Sequence, residues 1–108
     1  MREDTKSWIQ RFVAERDWEQ FHTPANLAKS IAIEAAELLE HYQWSDDAEL
    51  SEVQEEIADV LIYTHMLAWN LGLDPDTIMR EKLALNERKY PVAKARGKST
   101  RYDRLDSE

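Results

Sequence analysis

Two pairs of acidic residues carry the chemistry that this chain can do. Glu34-Ala-Ala-Glu37 and Glu56-Ile-Ala-Asp59 each set two carboxylates three residues apart. On a helix, residues i and i+3 share one face. Glu34 also falls in line with Leu27, Ile31 and Leu38, at steps of four, three and four. That line is the apolar seam that a helix turns toward a neighbour. A carboxylate in such a seam is costly unless it is paired, and a cation is the one partner that serves several carboxylates together. With no Cys in the chain and no His in either pair, the donors are all hard oxygens. Oxygen donors of this kind suit Mg2+, with Mn2+ as a second choice.

The competing reading is a structural one. Acid pairs at this spacing are common on solvated helix faces, and Glu37/Glu40 and Glu49/Glu52 are further examples in this chain. A non-enzymatic helical interaction module that uses its acids for salt bridges therefore stands as the alternative. A di-iron bundle would need two Glu-x-x-His motifs. The chain has one, Glu19-Gln-Phe-His22, and it falls in an expected loop. His65 reads as a satisfied boundary residue and His41 as a surface one.

The elements that must position these acids are helices. Two Gly and three Pro leave few breaks in 108 residues. The periodicity predicts a first helix over about 5–16, with Trp8, Ile9, Phe12 and Val13 on one side. Thr23-Pro24 reads as an N-cap with proline in the first turn, opening a second helix over about 24–42. Residues 44–47, Trp-Ser-Asp-Asp, read as a turn. A third helix fits about 48–71, with an apolar stripe of Leu50, Val53, Ile57, Val60, Leu61, Thr64, Leu67 and Leu71 and with Gly72 as its stop. Asp74-Pro75 opens a fourth, over about 75–89, and Pro91 ends it. The short link at 43–47 favours antiparallel packing of the second and third helices, which would bring the two acid pairs together. The expected fold is all-α, a four-helix bundle in a single domain over 1–108. Residues 92–108 form a polar, basic tail expected to be loop, partly disordered, or ordered only against another subunit.

Charge narrows the partners. The formal net charge is −8, but residues 1–79 hold 17 acids against 5 Lys/Arg, while residues 80–108 hold 5 acids against 9. The acidic part argues against nucleic-acid binding, which needs a basic footprint. The basic end could help to hold phosphates. No apolar run approaches a membrane span, and no apolar h-region follows Met1, so a cytoplasmic protein is expected. Met66, Trp69 and Leu73 are not obviously covered within one chain.

Taken with its surroundings, the constellation resembles the MazG-like all-α nucleoside triphosphate pyrophosphohydrolases. Their signature is E-x-x-E, a spacer, then E-x-x-D; here eighteen residues separate Glu37 from Glu56. The segments 14–22 (AERDWEQFH), Gln43-Trp44, 54–63 (QEEIADVLIY) and 86–91 (NERKYP) look like the dCTP pyrophosphatase branch. Alanines and Ile33 stand near the first pair where the branch has glycine, and the 43–56 connection is shorter than in its animal members. The resemblance implies magnesium-dependent hydrolysis of a nucleoside triphosphate, dCTP or a modified deoxynucleotide, to monophosphate and pyrophosphate. It implies Glu34, Glu37, Glu56 and Asp59 as cation ligands and catalytic residues. Trp18 and Trp44 would stack on the base, with His22 beside it. Tyr63 would border the sugar, and Lys82 and Asn86 would reach phosphate and sugar. It also implies a homodimer or homotetramer, and it leaves the dUTP and phosphoribosyl-ATP branches as alternatives.

Overall fold

The computed structural model describes residues 1–107. Its long elements are α1 (Glu3–Glu15), α2 (Pro24–Glu40), α3 (Leu50–Asn70) and α4 (Pro75–Lys89). A one-turn helix, α5 (Val92–Ala95), and two 3-10 turns (Glu19–Phe21 and Tyr102–Ser107) complete the set. Among the described residues there is no strand. Among them, too, no helix is long and apolar enough to cross a membrane. The chain divides into two compact units, one from Met1 to Asp74 and one from Pro75 onward.

Local chemistry sets the boundaries in the first unit. Thr23 caps α2: its hydroxyl accepts the Asn26 amide at 3.1 Å, and Pro24 occupies the first turn. Helix α3 stops at Gly72, which takes φ +73°. There the Leu73 amide donates to the Ala68 carbonyl and the Gly72 amide to Trp69, the paired bonds of a Schellman ending. Helix α1 ends in the same way on a residue that is not glycine. Asp17 sits at φ 53°, its amide donates to Ala14, and the Trp18 amide donates to Val13. That left-handed residue fixes where Trp18 leaves the helix. In the α2–α3 link, the Ser45 hydroxyl accepts the Asp47 amide at 3.0 Å, which makes the expected turn.

Helices α2 and α3 form the central pair and run antiparallel. The end of α2 meets the start of α3 through His41 and Glu52, and the start of α2 meets the end of α3 where Asn70 donates to the His22 carbonyl. The core of this unit is Val13, Leu27, Val53 and Ala68, with Leu27 only 1% exposed. It is narrower than the sequence pattern suggests. Leu50, Ile57, Leu61 and Leu71 of the α3 stripe are exposed, because the stripe is wider than the neighbours cover. Met66 and Trp69, expected to lie uncovered, are half-buried instead, while Leu73 is exposed.

Within the second unit, the basic end, expected as loop or partial disorder, holds a short helix and a 3-10 turn. Helix α5 packs on the final 3-10 turn, and Leu105 is buried. The Tyr90 and Tyr102 rings meet edge to face at 6.0 Å, with the Lys89 ammonium 4.6 Å from the Tyr102 ring. The described residues thus hold five α-helices, the fifth a single turn that polar periodicity does not reveal.

Candidate active site

The antiparallel α2–α3 pair brings the two acidic motifs together. One carboxylate oxygen each from Glu34, Glu56 and Asp59 lie within 4.8 Å of one another, on half-buried side chains. Glu37, one turn along α2, stands beside Glu34 and outside this mutually close trio. Burial pushes the Glu34 carboxyl up to about 7, helped by its hydrogen bond to Glu37, by the charges of Glu37 and Asp59, and by a hydrogen bond to Glu56. Two buried oxygens, Glu34 Oε2 and Glu56 Oε2, have no hydrogen-bond partner. Orphaned carboxylate oxygens facing like charge are what a hard divalent cation satisfies, so these residues fit one.

Tyr63 follows Asp59 by one turn on α3. Burial and the charges of Glu34 and Asp59 raise its phenol above the ordinary range. Asp59 and Tyr63 line one wall of a cleft of about 680 Å³, and Trp8, Phe12, Trp18 and His22 line another part. Trp18 meets Phe12 edge to face at 5.6 Å, and the Arg16 guanidinium sits 3.8 Å from the other ring, Phe12. His22 Nδ1 is buried without a partner, so a polar group is available inside an otherwise apolar recess. A second, smaller cleft of about 340 Å³ adjoins His22, with Met66 and Trp69 in its wall.

Six of the ten expected site residues therefore converge: Glu34, Glu56, Asp59, Trp18, His22 and Tyr63, with Glu37 adjacent. Trp44 does not join them. It lies on the α2–α3 link, 90% exposed. Lys82 and Asn86 share a face of α4, within the second unit. His65 is satisfied as expected, its Nδ1 2.7 Å from the Leu61 carbonyl.

His41 is the residue that the sequence reading placed wrongly. It is not a surface histidine. Its side chain is 21% exposed, with Nδ1 3.5 Å from Glu52 and Nε2 3.6 Å from Glu56. The signal was present: His41 follows Glu37 by four, and Glu52 precedes Glu56 by four, so all four fall on facing sides of the two helices. Trp8 and Phe12, which periodicity places on one side of the first helix without a role, line the cleft.

The MazG-like family matches residues 29–105. The chain is 39% identical over 113 residues to dCTP pyrophosphatase 1 of Homo sapiens, and equally so to that of Rattus norvegicus. Each match covers 95% of this chain and 66% of the relative, so the chain spans just under two thirds of their length. Among solved structures, a pyrophosphatase from Archaeoglobus fulgidus is 42% identical, with a TM-score of 0.78, over 82% of this chain and 91% of that one.

Proposed function

Since the chain belongs to the MazG-like family, we propose that it is a nucleoside triphosphate pyrophosphohydrolase that acts on dCTP or a modified deoxynucleoside triphosphate. Water attacks the α-phosphorus, the bond from that phosphorus to the α,β-bridging oxygen breaks, and nucleoside monophosphate and pyrophosphate leave. One observation carries the reading: the Glu34, Glu56 and Asp59 carboxylates meet at the edge of an aromatic cleft large enough for a nucleoside. The relatives named for dCTP favour that base.

Glu34, Glu37, Glu56 and Asp59 would hold Mg2+, or Mn2+ in its place. A cation there supplies charge neutralisation on phosphate and a more acidic bound water. The chain supplies the rest. A carboxylate of the first pair, Glu34 or Glu37, orients the attacking water and takes its proton. Trp18 offers a ring face to the base, a contact that commonly contributes about 1–3 kcal/mol. His22 Nδ1 gives that base a hydrogen-bonding group. Tyr63, beside Asp59, borders the sugar. By the family resemblance, Lys82 and Asn86 steady phosphate and sugar, and Trp44 offers a second ring to the base.

We propose further that the enzyme is a homo-oligomer of this all-α chain, with a tetramer as first choice over a dimer, working in the cytoplasm. Exposed Trp8, Leu39, Leu50 and Leu61 support a partner subunit, since apolar side chains in this number gain by burial between copies. The test of the reaction is hydrolysis of a panel of triphosphates in oxygen-18 water with Mg2+. Attack at the α position labels the monophosphate and leaves pyrophosphate unlabelled. Diphosphate as the first product, or label in pyrophosphate alone, overturns the mechanism.

A further inference from the structure

Glu56 differs from the other acids of the cluster in having a cation-capable neighbour behind it. Its Oε1 lies 3.6 Å from His41 Nε2, while its Oε2 is buried and unpartnered. On the far side of the ring, His41 Nδ1 lies 3.5 Å from Glu52 Oε2. The ring is thus set between two carboxylates that are four residues apart on α3, and it reaches them from the C-cap of α2. Glu52 is largely solvated at 62% exposure, whereas Glu56, at 20%, is as enclosed as the histidine.

Glu37 and Asp59 place like charge in the cluster, so a further carboxylate gains from a positively polarised partner on its outer side. His41, 3.6 Å from Oε1, is that partner, and the buried Oε2 is the oxygen it leaves free. Histidine also bridges the two helices where they are joined, so the same contact holds the first acid motif against the second.

We propose that His41 is the positioning residue for Glu56: by engaging Oε1 from behind, it presets the Glu56 carboxylate for a divalent cation, and Glu52 fixes the orientation of the ring. This rests on the reading of Glu56 as a cation ligand. Partners of this kind behind a ligand commonly contribute about 10–100-fold in metal affinity.

The test is a Mn2+ titration of the full-length protein, followed by the spin-resonance signal of free Mn2+, with melting curves on the same samples. Four variants are compared with wild type: Glu56→Gln, His41→Phe, His41→Asn and His41→Gln. A glutamine amide can stand near the place of Nε2 and offer Glu56 a donor. An asparagine amide takes the place of Nδ1 and reaches Glu52 only. The expected result is loss of Mn2+ binding in Glu56→Gln, about 10-fold weaker binding in His41→Phe and His41→Asn, and near-wild-type binding in His41→Gln. Wild-type affinity in His41→Asn and His41→Phe, alongside a loss in Glu56→Gln, overturns the role of His41 and leaves the ligand reading standing. Wild-type affinity in Glu56→Gln overturns the ligand reading itself. Equal weakening in Asn and Gln variants, in step with their melting temperatures, reduces His41 to packing and also overturns the proposal. If His41→Phe does not fold, the Asn/Gln comparison decides alone.

Discussion

Neutralising Glu34 should stabilise the ion-free protein at alkaline pH. The carboxyl is held at about 7 in the fold, against an ordinary value of 4.5, first because burial disfavours its charge and then because Glu37, Asp59 and Glu56 crowd it. Below pH 4.5 it is protonated in folded and unfolded chains alike. Between 4.5 and 7 the unfolded chain releases the proton and the folded one keeps it, so stability falls as pH rises. The loss is complete above about 7. At about 1.4 kcal/mol per pH unit, the gap corresponds to about 3 kcal/mol. Solvent at the open side of this half-buried group screens it, which leaves about 1–2 kcal/mol. Glu34→Gln cannot ionise, and its amide still donates to Glu37 or Glu56 as the protonated acid does. In chelator-treated protein at pH 8, Glu34→Gln should therefore melt about 5–10 °C above wild type. At pH 4.5 the two should coincide. Millimolar Mg2+ should raise wild type more than the variant, because ligand binding stabilises only the form that binds. Calorimetric scans across pH, with and without Mg2+, measure all three. A variant that melts at or below wild type at pH 8 without Mg2+ would refute the claim that the fold strains this carboxylate.

Asp59→Asn and Glu37→Gln should each remove most Mg2+-dependent turnover while their circular dichroism stays that of wild type; near-normal rates in either would remove that residue from the cation set. Trp18→Ala should weaken nucleotide binding about 5–150-fold, from about 1–3 kcal/mol of stacking, with only a small fall in melting temperature, since Trp18 is already 43% exposed. A fall matching the about 3–5 kcal/mol of a core aromatic would make it a packing residue. Trp44→Ala, at a position 90% exposed, should leave the melting temperature of the protomer unchanged. Asp17→Val puts a β-branched residue at φ 53° and should cost about 1–2 kcal/mol. It should also reduce nucleotide affinity through displacement of Trp18. An unchanged melt would show that the left-handed turn does not constrain the end of α1.

Helix positions and acid motifs were legible because their causes are local. Thr23 caps with its own hydroxyl, Gly72 adopts a backbone angle that few residues tolerate, and Pro24 and Pro75 start helices wherever they stand. A shared face for Glu34 and Glu37, and for Glu56 and Asp59, follows from helical pitch alone. Asp17 marks the limit of such reasoning, since a left-handed aspartate closes α1 where glycine would have announced it. What only the tertiary structure decided was which faces meet. The crossing of α2 and α3 puts Glu34 against Glu56 and Asp59, and it leaves two oxygens without partners. The same crossing carries His41 from an apparent surface position to a place between Glu52 and Glu56. It also turns Trp8 and Phe12 into walls of a cleft, while Leu50 and Leu61 remain open despite sitting in a regular apolar stripe. Periodicity states that a side chain shares a face with others; what lies opposite that face depends on contacts between residues far apart in sequence, which no local spacing encodes.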